Sequence, residues 1–426
     1  MRSTEVTARS MQTSNIISVL KYGEGLELEL ELPAEAVVAD LSAPRGTPLA
    51  DVRSAVRAAL ESPLDFPPLR KAIVPGDKVV LPLAGGLPQA AAIVAGIADV
   101  LLEGGIEPSD ITVLCGETDT ACNTLDPRSR LPADLAKRVN LVVHDPADRQ
   151  KLAYLTVTTG GTEVLLNRAI CDADLVLPVG CLRPRHSSGY HGVHGGLFPT
   201  FADTPTKARY RQLEAAGSAA EAKNAQRDID EVGWLVGGQL IVQVLPGPAG
   251  SVLEVLAGES RTVANRGRQL SEATWSYTLP RAASLVVAAV DGGAAEQTWE
   301  NFGRALMAAG NLVEEGGAIV LCTQLDAPLG KALKSTSGRD GDERFGALKR
   351  LRKHPPSDYL PAMQLARALE RSRVYLLSRL DEGLVEDLGM AAVTSGDQVA
   401  RLTRHQPSCI LLGSAQHVAA SVREQA

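Results

Sequence analysis

Aromatic residues are scarce in this 426-residue chain, at 4%, with three Trp, five Phe and seven Tyr. The core must therefore be built mainly from Ala, Val, Leu and Ile. Positive charge is not in excess either: 43 Lys plus Arg stand against 50 Asp plus Glu, a formal net charge of −7. Nucleic acid is not an expected partner, because nothing is left over to neutralise a phosphate backbone. No apolar run approaches the ~18 residues of a membrane span. The N-terminal MRSTEVTARSMQTSNIISVL lacks a long apolar stretch followed by a cleavage site, so a cytoplasmic protein is expected. There is no C-x-x-C pair. The six cysteines, Cys115, Cys122, Cys171, Cys181, Cys322 and Cys409, are scattered, most of them in apolar runs such as ITVLC and AIVLC. They read as buried free thiols in a reducing compartment. Neither G-x-G-x-x-G nor a P-loop occurs, so AGGLPQ and GGAAEQTWENFG do not support a dinucleotide or ATP site.

What is present is an ordinary globular composition, 45% hydrophobic and 22% charged, which excludes a disordered chain or a coiled coil. Short β-branched runs alternate with longer amphipathic segments. Strands are expected at Asp77–Leu83, Ile111–Cys115, Asn140–His144, Thr162–Ile170, Ala173–Val179, Leu240–Val244, Leu285–Val290, Ala318–Cys322, Val374–Leu377 and Cys409–Leu412. A helix is expected over Pro88–Glu103. Such alternation predicts an α/β fold: two domains with largely parallel sheets flanked by helices, and an active-site cleft between them. The boundary is placed in Leu270–Ala283, dividing the chain into 1–272 and 273–426, with the strand near 409–412 a candidate to pack back on the first domain. The charged stretch Lys334–Pro356 reads as a solvated insertion.

The most unusual segment is CLRPRHSSGYHGVHGGLFP, Cys181 to Pro199. It follows a buried strand, and strand C-terminal ends are where α/β proteins place their sites. It is expected to form an exposed loop at the cleft, with His186 pointing inward. His186, His191 and His194 lie among glycines that permit tight turns and close approach of a ligand. Imidazoles so spaced can ligate a transition metal or transfer protons near neutral pH, which makes this trio a candidate metal site.

The stretch DADLVLPVGCLRPRHSSGYHGVHGGLFP resembles the core motif of the nickel-pincer lactate racemase family, in which a DADLVI-type strand leads to a glycine, a Pro-His pair and a Gly-rich run. ALESPLDFPPL (Ala59–Leu69), GGIEPSDITVLCGE (Gly104–Glu117), the segment Gly292–Cys322, MQLARALERSRVYLLS (Met363–Ser378) and LGMAAVTSGDQVA (Leu388–Ala400) resemble further landmarks, so the likeness spans almost the whole chain. It implies a nickel pincer nucleotide tethered to a lysine, a nickel-ligating histidine, two acid/base histidines, and Arg, Lys and Gln side chains holding a 2-hydroxy acid.

Matched position by position, several of these groups are replaced. His186 stands at one acid/base histidine. The lysine position falls on Gly195, the nickel-ligating histidine on Arg211, and the second acid/base histidine on Thr118, beside Asp119. The substrate loop reads Ala84–Pro88 and has lost its acid and arginine; Asn301 and Arg304 stand for glutamine and lysine, and Leu360, beside Tyr359, for a tryptophan. Arginine has no lone pair for a metal, and glycine has no amine, although Lys207 is a candidate tether from another direction. Arg211 and Arg304 suit a carboxylate or phosphate instead.

The expected function is a divergent isomerase, a racemase or epimerase acting on a small anionic 2-hydroxy acid without the lysine-tethered mechanism. His186, Asn301 and Arg304 are its candidate catalytic residues, and Gly195, Arg211 and Lys207 the candidate cofactor site. The alternative is a catalytically inactive homologue that binds a small anionic ligand for sensing or regulation.

Overall fold

The computed structural model describes residues 15–43, 45–116, 126–185, 187–404 and 406–423. Among them no helix is long and apolar enough to cross a membrane. The fold is α/β with mostly parallel sheets, and the strands between residues 79 and 259 form one set of sheets. Asn140–Val143, Ile111–Cys115, Val79–Pro82 and Leu175–Val176 lie side by side in that order, all parallel. Val179–Cys181 runs parallel to Leu240–Pro246, which pairs antiparallel with Val252–Glu259. A bridge between Leu83 and Val179 joins the two. Ala90–Glu103 packs against Val52–Glu61, where Gly96 lets the backbones meet: a Cβ there would lie 2.7 Å from the Arg53 carbonyl.

The second sheet has six parallel strands in the order Ala391–Val393, Arg373–Leu377, Val313–Cys322, Ala283–Ala289, Cys409–Leu412 and Val37–Leu41. Its last strand comes from the other side of the division expected at 272/273. Residues 37–41 come from the start of the chain yet complete the second sheet, and Cys409–Leu412 sits between them and Ala283–Ala289 rather than on the first domain. The hairpin Asn15–Tyr22/Leu26–Pro33 follows the same route, its Leu20, Leu28, Leu30 and Leu32 packing on Leu285, Val287 and Ala289. Burying four leucines against an already apolar sheet face is worth several kcal/mol at about 1.5–3 kcal/mol each.

The stretch expected as a boundary is itself packed. Helix Ser260–Trp275 ends on a fully buried Trp275, whose Nε1 donates to the Pro246 carbonyl at 2.9 Å, and one apolar cluster runs from Leu182 and Ile241 through Trp275 to Val286. The charged stretch Lys334–Pro356 is not a solvated insertion either. It holds helix Gly341–Leu351, with Ala347 and Leu348 buried. Of the cysteines, Cys171, Cys181, Cys322 and Cys409 are free thiols, whereas Cys115 is disulfide-bonded; Cys122 lies outside the described residues.

Candidate functional site

The C-terminal ends of both sets of strands converge on one cleft. Val79–Pro82 leads into Gly85 and Gly86, Ile111–Cys115 into Gly116, and Val179–Cys181 into the histidine segment. Together with Gly189, His191, Gly195, Lys207, Tyr210, Arg211 and Glu214 from the first domain, and Thr298, Glu300, Asn301, Arg304, Ser357 and Leu360 from the second, they line a cavity of about 270 Å³. Glu117, Thr118, Asp119 and His186 lie outside the described residues.

The helix Thr204–Ala216 supplies the charged wall. Asp203 caps it by accepting from the Thr206 N–H at 3.1 Å, Pro205 occupies its first turn and Gly217 ends it at φ +70°. Lys207, Tyr210, Arg211 and Glu214 are spaced i, i+3, i+4, i+7, so one face carries all four to the cavity. Arg211 donates from Nη1 to the Pro355 carbonyl at 3.4 Å, reaching across to the second domain.

The histidine segment is not an exposed loop. Leu182, Arg183, Val193, His194, Leu197 and Phe198 are buried: Leu197 and Phe198 join a core with Leu114, Leu166, Phe201 and Tyr210, and Leu182 and Val193 join the cluster of Ile241 and Trp275. Gly189 and Gly192 turn the chain at φ +74° and +72°. His191 and His194 part company. His191 faces the cavity, its Nε2 3.4 Å from Glu214 Oε2. His194 turns away: Nδ1 lies 3.3 Å from Asp230, Nε2 3.3 Å from the Gly238 carbonyl, and the ring covers Gly233 so closely that a Cβ there would be 2.4 Å away. Among the described residues no group of three or more His, Cys, Asp or Glu is placed to hold a metal ion.

Asn301 and Arg304 extend from helix Trp299–Gly310, and both are engaged. Asn301 donates from Nδ2 to the Glu296 carbonyl at 2.8 Å and to Glu296 Oε2 at 3.0 Å; its Oδ1 accepts from Arg304 Nη1 at 2.7 Å. Arg304 donates from Nε to the Ser188 carbonyl at 2.9 Å. Asn301 thus orients Arg304, and Arg304 holds the histidine segment. Burial, reinforced by Arg183, brings the Arg304 guanidinium down to about 10.

Glu214, absent from the residues expected at the site, is the centre of the arrangement. Its carboxylate accepts from the Gly189 N–H and, at 3.4 Å, from Ser188 Oγ, besides facing His191. Burial pushes its acid up, but His191, the Gly189 N–H and Arg304 together outweigh burial and hold it below the ordinary carboxylate range. The signal for it in the sequence is its helical register with Lys207 and Arg211.

Behind the cleft lies a buried polar network. Asp291 accepts from Ser414 Oγ, Gln416 Nε2 and the Ala249 N–H at 2.8, 2.7 and 2.9 Å. Burial raises Asp291 and Glu296. His417, packed on Trp275 with ring centroids 5.2 Å apart, is held well below its ordinary 6.5 by burial and by Arg183 and Arg304. The unfolded chain therefore takes up a proton at His417 below about pH 6.5 that the folded chain refuses. That contribution to stability is complete above 6.5 and falls by up to about 1.4 kcal/mol per pH unit below it. The raised carboxyls of Asp291 and Glu296 act with opposite sign, losing stability as pH rises. His417→Gln should therefore flatten the drop in urea midpoint between pH 7 and pH 5.5. Equal drops in variant and parent would assign the acid sensitivity elsewhere.

Residues 22–218 match the profile of the lactate racemase N-terminal domain. These residues therefore carry a lactate racemase N-terminal domain, which covers 197 of the 426 residues. The structure of the lactate racemase apoprotein from Thermoanaerobacterium thermosaccharolyticum is similar over 96% of this chain and 100% of that one, with a TM-score of 0.75 and 18% identity. A Thermotoga maritima protein is similar over 89% of this chain and 99% of that one, with a TM-score of 0.61 and 13% identity. No curated protein sequence matches the chain.

At the position matched to the family's lysine, the chain does not fit a tethered pincer nucleotide. A Cβ at Gly195 would lie 2.8 Å from His191 Cβ and 3.0 Å from the His191 carbonyl oxygen, so the backbone occupies the space a lysine side chain would need. Arg211 offers no lone pair where the resemblance requires a metal ligand.

Proposed function

We propose that this chain is a member of the lactate racemase family that binds a small anionic 2-hydroxy acid in the cleft between its domains, without the lysine-tethered nickel-pincer mechanism. One observation carries the reading. The cleft gathers Gly195, Arg211, Asn301 and Arg304, positions matched to the family's functional residues, with Lys207 beside them, so it is lined by cations while the tether position is closed. Guanidinium groups bind carboxylates through paired N–H donors, and the flanking glycines Gly85, Gly86 and Gly189 leave room for a ligand against the backbone.

A second reading, isomerisation of that acid, is favoured by the His191–Glu214 pair, a proton-accepting imidazole steadied by a carboxylate on the cavity wall.

Protein purified from its native host tests both. The expected result is an unmodified intact mass together with saturable calorimetric binding of a 2-hydroxy acid. A nucleotide-sized adduct on a lysine with lactate turnover would overturn the binding reading. Conversion of one enantiomer into the other by the unmodified protein, followed by chiral chromatography, would establish the isomerase.

A further inference from the structure

We infer that the ligand of the cleft carries a bulky apolar or aromatic substituent, housed in a second, larger cavity that continues the cleft beyond His191. The inference rests on the 2-hydroxy acid reading above and specifies which acids. The second cavity measures about 610 Å³ and lies between helices Thr204–Ala216 and Ala219–Leu235 of the first domain and Trp299–Gly310 and Tyr359–Arg371 of the second. It shares His191, Tyr210 and Glu214 with the smaller cavity, so the two meet at these side chains. Cavities of about 300–1,000 Å³ suit drug-sized ligands, and an acid the size of lactate fills only the smaller one.

The chemistry of the wall selects the substituent. Tyr190, Leu213, Leu306, Met307 and Ala225 present apolar surface. The cations at its edge are occupied: Arg367 donates to the Ala215 carbonyl at 2.9 Å, and Arg371 pairs with Glu315 at 3.0 Å. Of these two cations Arg371 is already paired with a carboxylate and Arg367 is tied to a backbone carbonyl, whereas an apolar group gains by leaving water.

Calorimetry on the full chain with lactate, 3-phenyllactate and gluconate tests this. Phenyllactate is expected to bind at least tenfold tighter than either of the others. Ala225→Trp, which fills the larger cavity, should reduce phenyllactate to the affinity of lactate. Ala222→Trp, at an exposed position on the same wall, gives the same test should the first variant not fold. Lactate binding as tightly as phenyllactate would overturn the inference and leave the 2-hydroxy acid reading intact, as would a phenyllactate advantage untouched by the Trp variants. Binding of none of the three acids would overturn both.

Discussion

Replacing Glu214 by Ala should lower the stability of the protein at pH 7 by about 1.5–3 kcal/mol, the range for hydrogen bonds to a charged group. The carboxylate is largely enclosed and receives the Gly189 N–H, the Ser188 hydroxyl and His191, with Arg304 close by. Its removal leaves the Gly189 N–H without that acceptor and takes a compensating charge away from the buried Arg304. Both penalties fall on the 187–191 turn, which Arg304 holds from the second domain through the Ser188 carbonyl. Glu214→Gln keeps an acceptor for the Gly189 N–H and should lose less. The sign with pH follows from the lowered acid. Stabilisation by Glu214 is present above the ordinary value of 4.5 and is lost as pH falls through the folded value. Urea unfolding of parent and both variants at pH 7 and pH 4 reads this directly. A Glu214→Ala variant within 1 kcal/mol (~1 kcal/mol being a typical single hydrogen bond) of the parent at pH 7 would show that the turn is held by other contacts.

Replacing Arg211 by Met should weaken binding of the 2-hydroxy acid about 10- to 150-fold. A hydrogen bond to a charged group is worth about 1.5–3 kcal/mol, and every 1.4 kcal/mol, roughly, is tenfold in affinity. Met keeps an unbranched apolar stem while removing the charge and the donors. Arg211→Lys restores the charge without the planar fork and should fall between the two. Calorimetric Kd values for parent, Met and Lys variants in one buffer make the comparison. Equal affinity in parent and Met variant would place the carboxylate elsewhere in the cleft.

Much of the fold is legible in the sequence, because strands and helices announce themselves through local periodicity. Ile111–Cys115 and Cys409–Leu412 occur at the residues their apolar runs mark, and the helix expected from Pro88 runs over Ala90–Glu103. The alternation in LELELELP, with Leu28, Leu30 and Leu32 buried, is likewise a half-buried strand written in two-residue period, although it is not among the strands expected. The segment around Cys181–Pro199 is also marked by its position after a buried strand.

What local pattern cannot carry is pairing between distant parts of the chain. Val37–Leu41 joins Cys409–Leu412 because the second sheet has an open edge beside that strand, a fact of tertiary geometry and not of either sequence. The same holds within the site. His191 and His194 are three residues apart in equivalent surroundings, yet one faces the cavity beside Glu214 and the other is buried against Gly233 and Asp230. Local periodicity determined that the chain would be a layered α/β protein, and composition that it has no excess of basic residues. Only the packing of two helices, one from each domain, decided which of its charges meet: a side chain's partners are set by the sum of many non-local contacts, and no spacing along the chain encodes that sum.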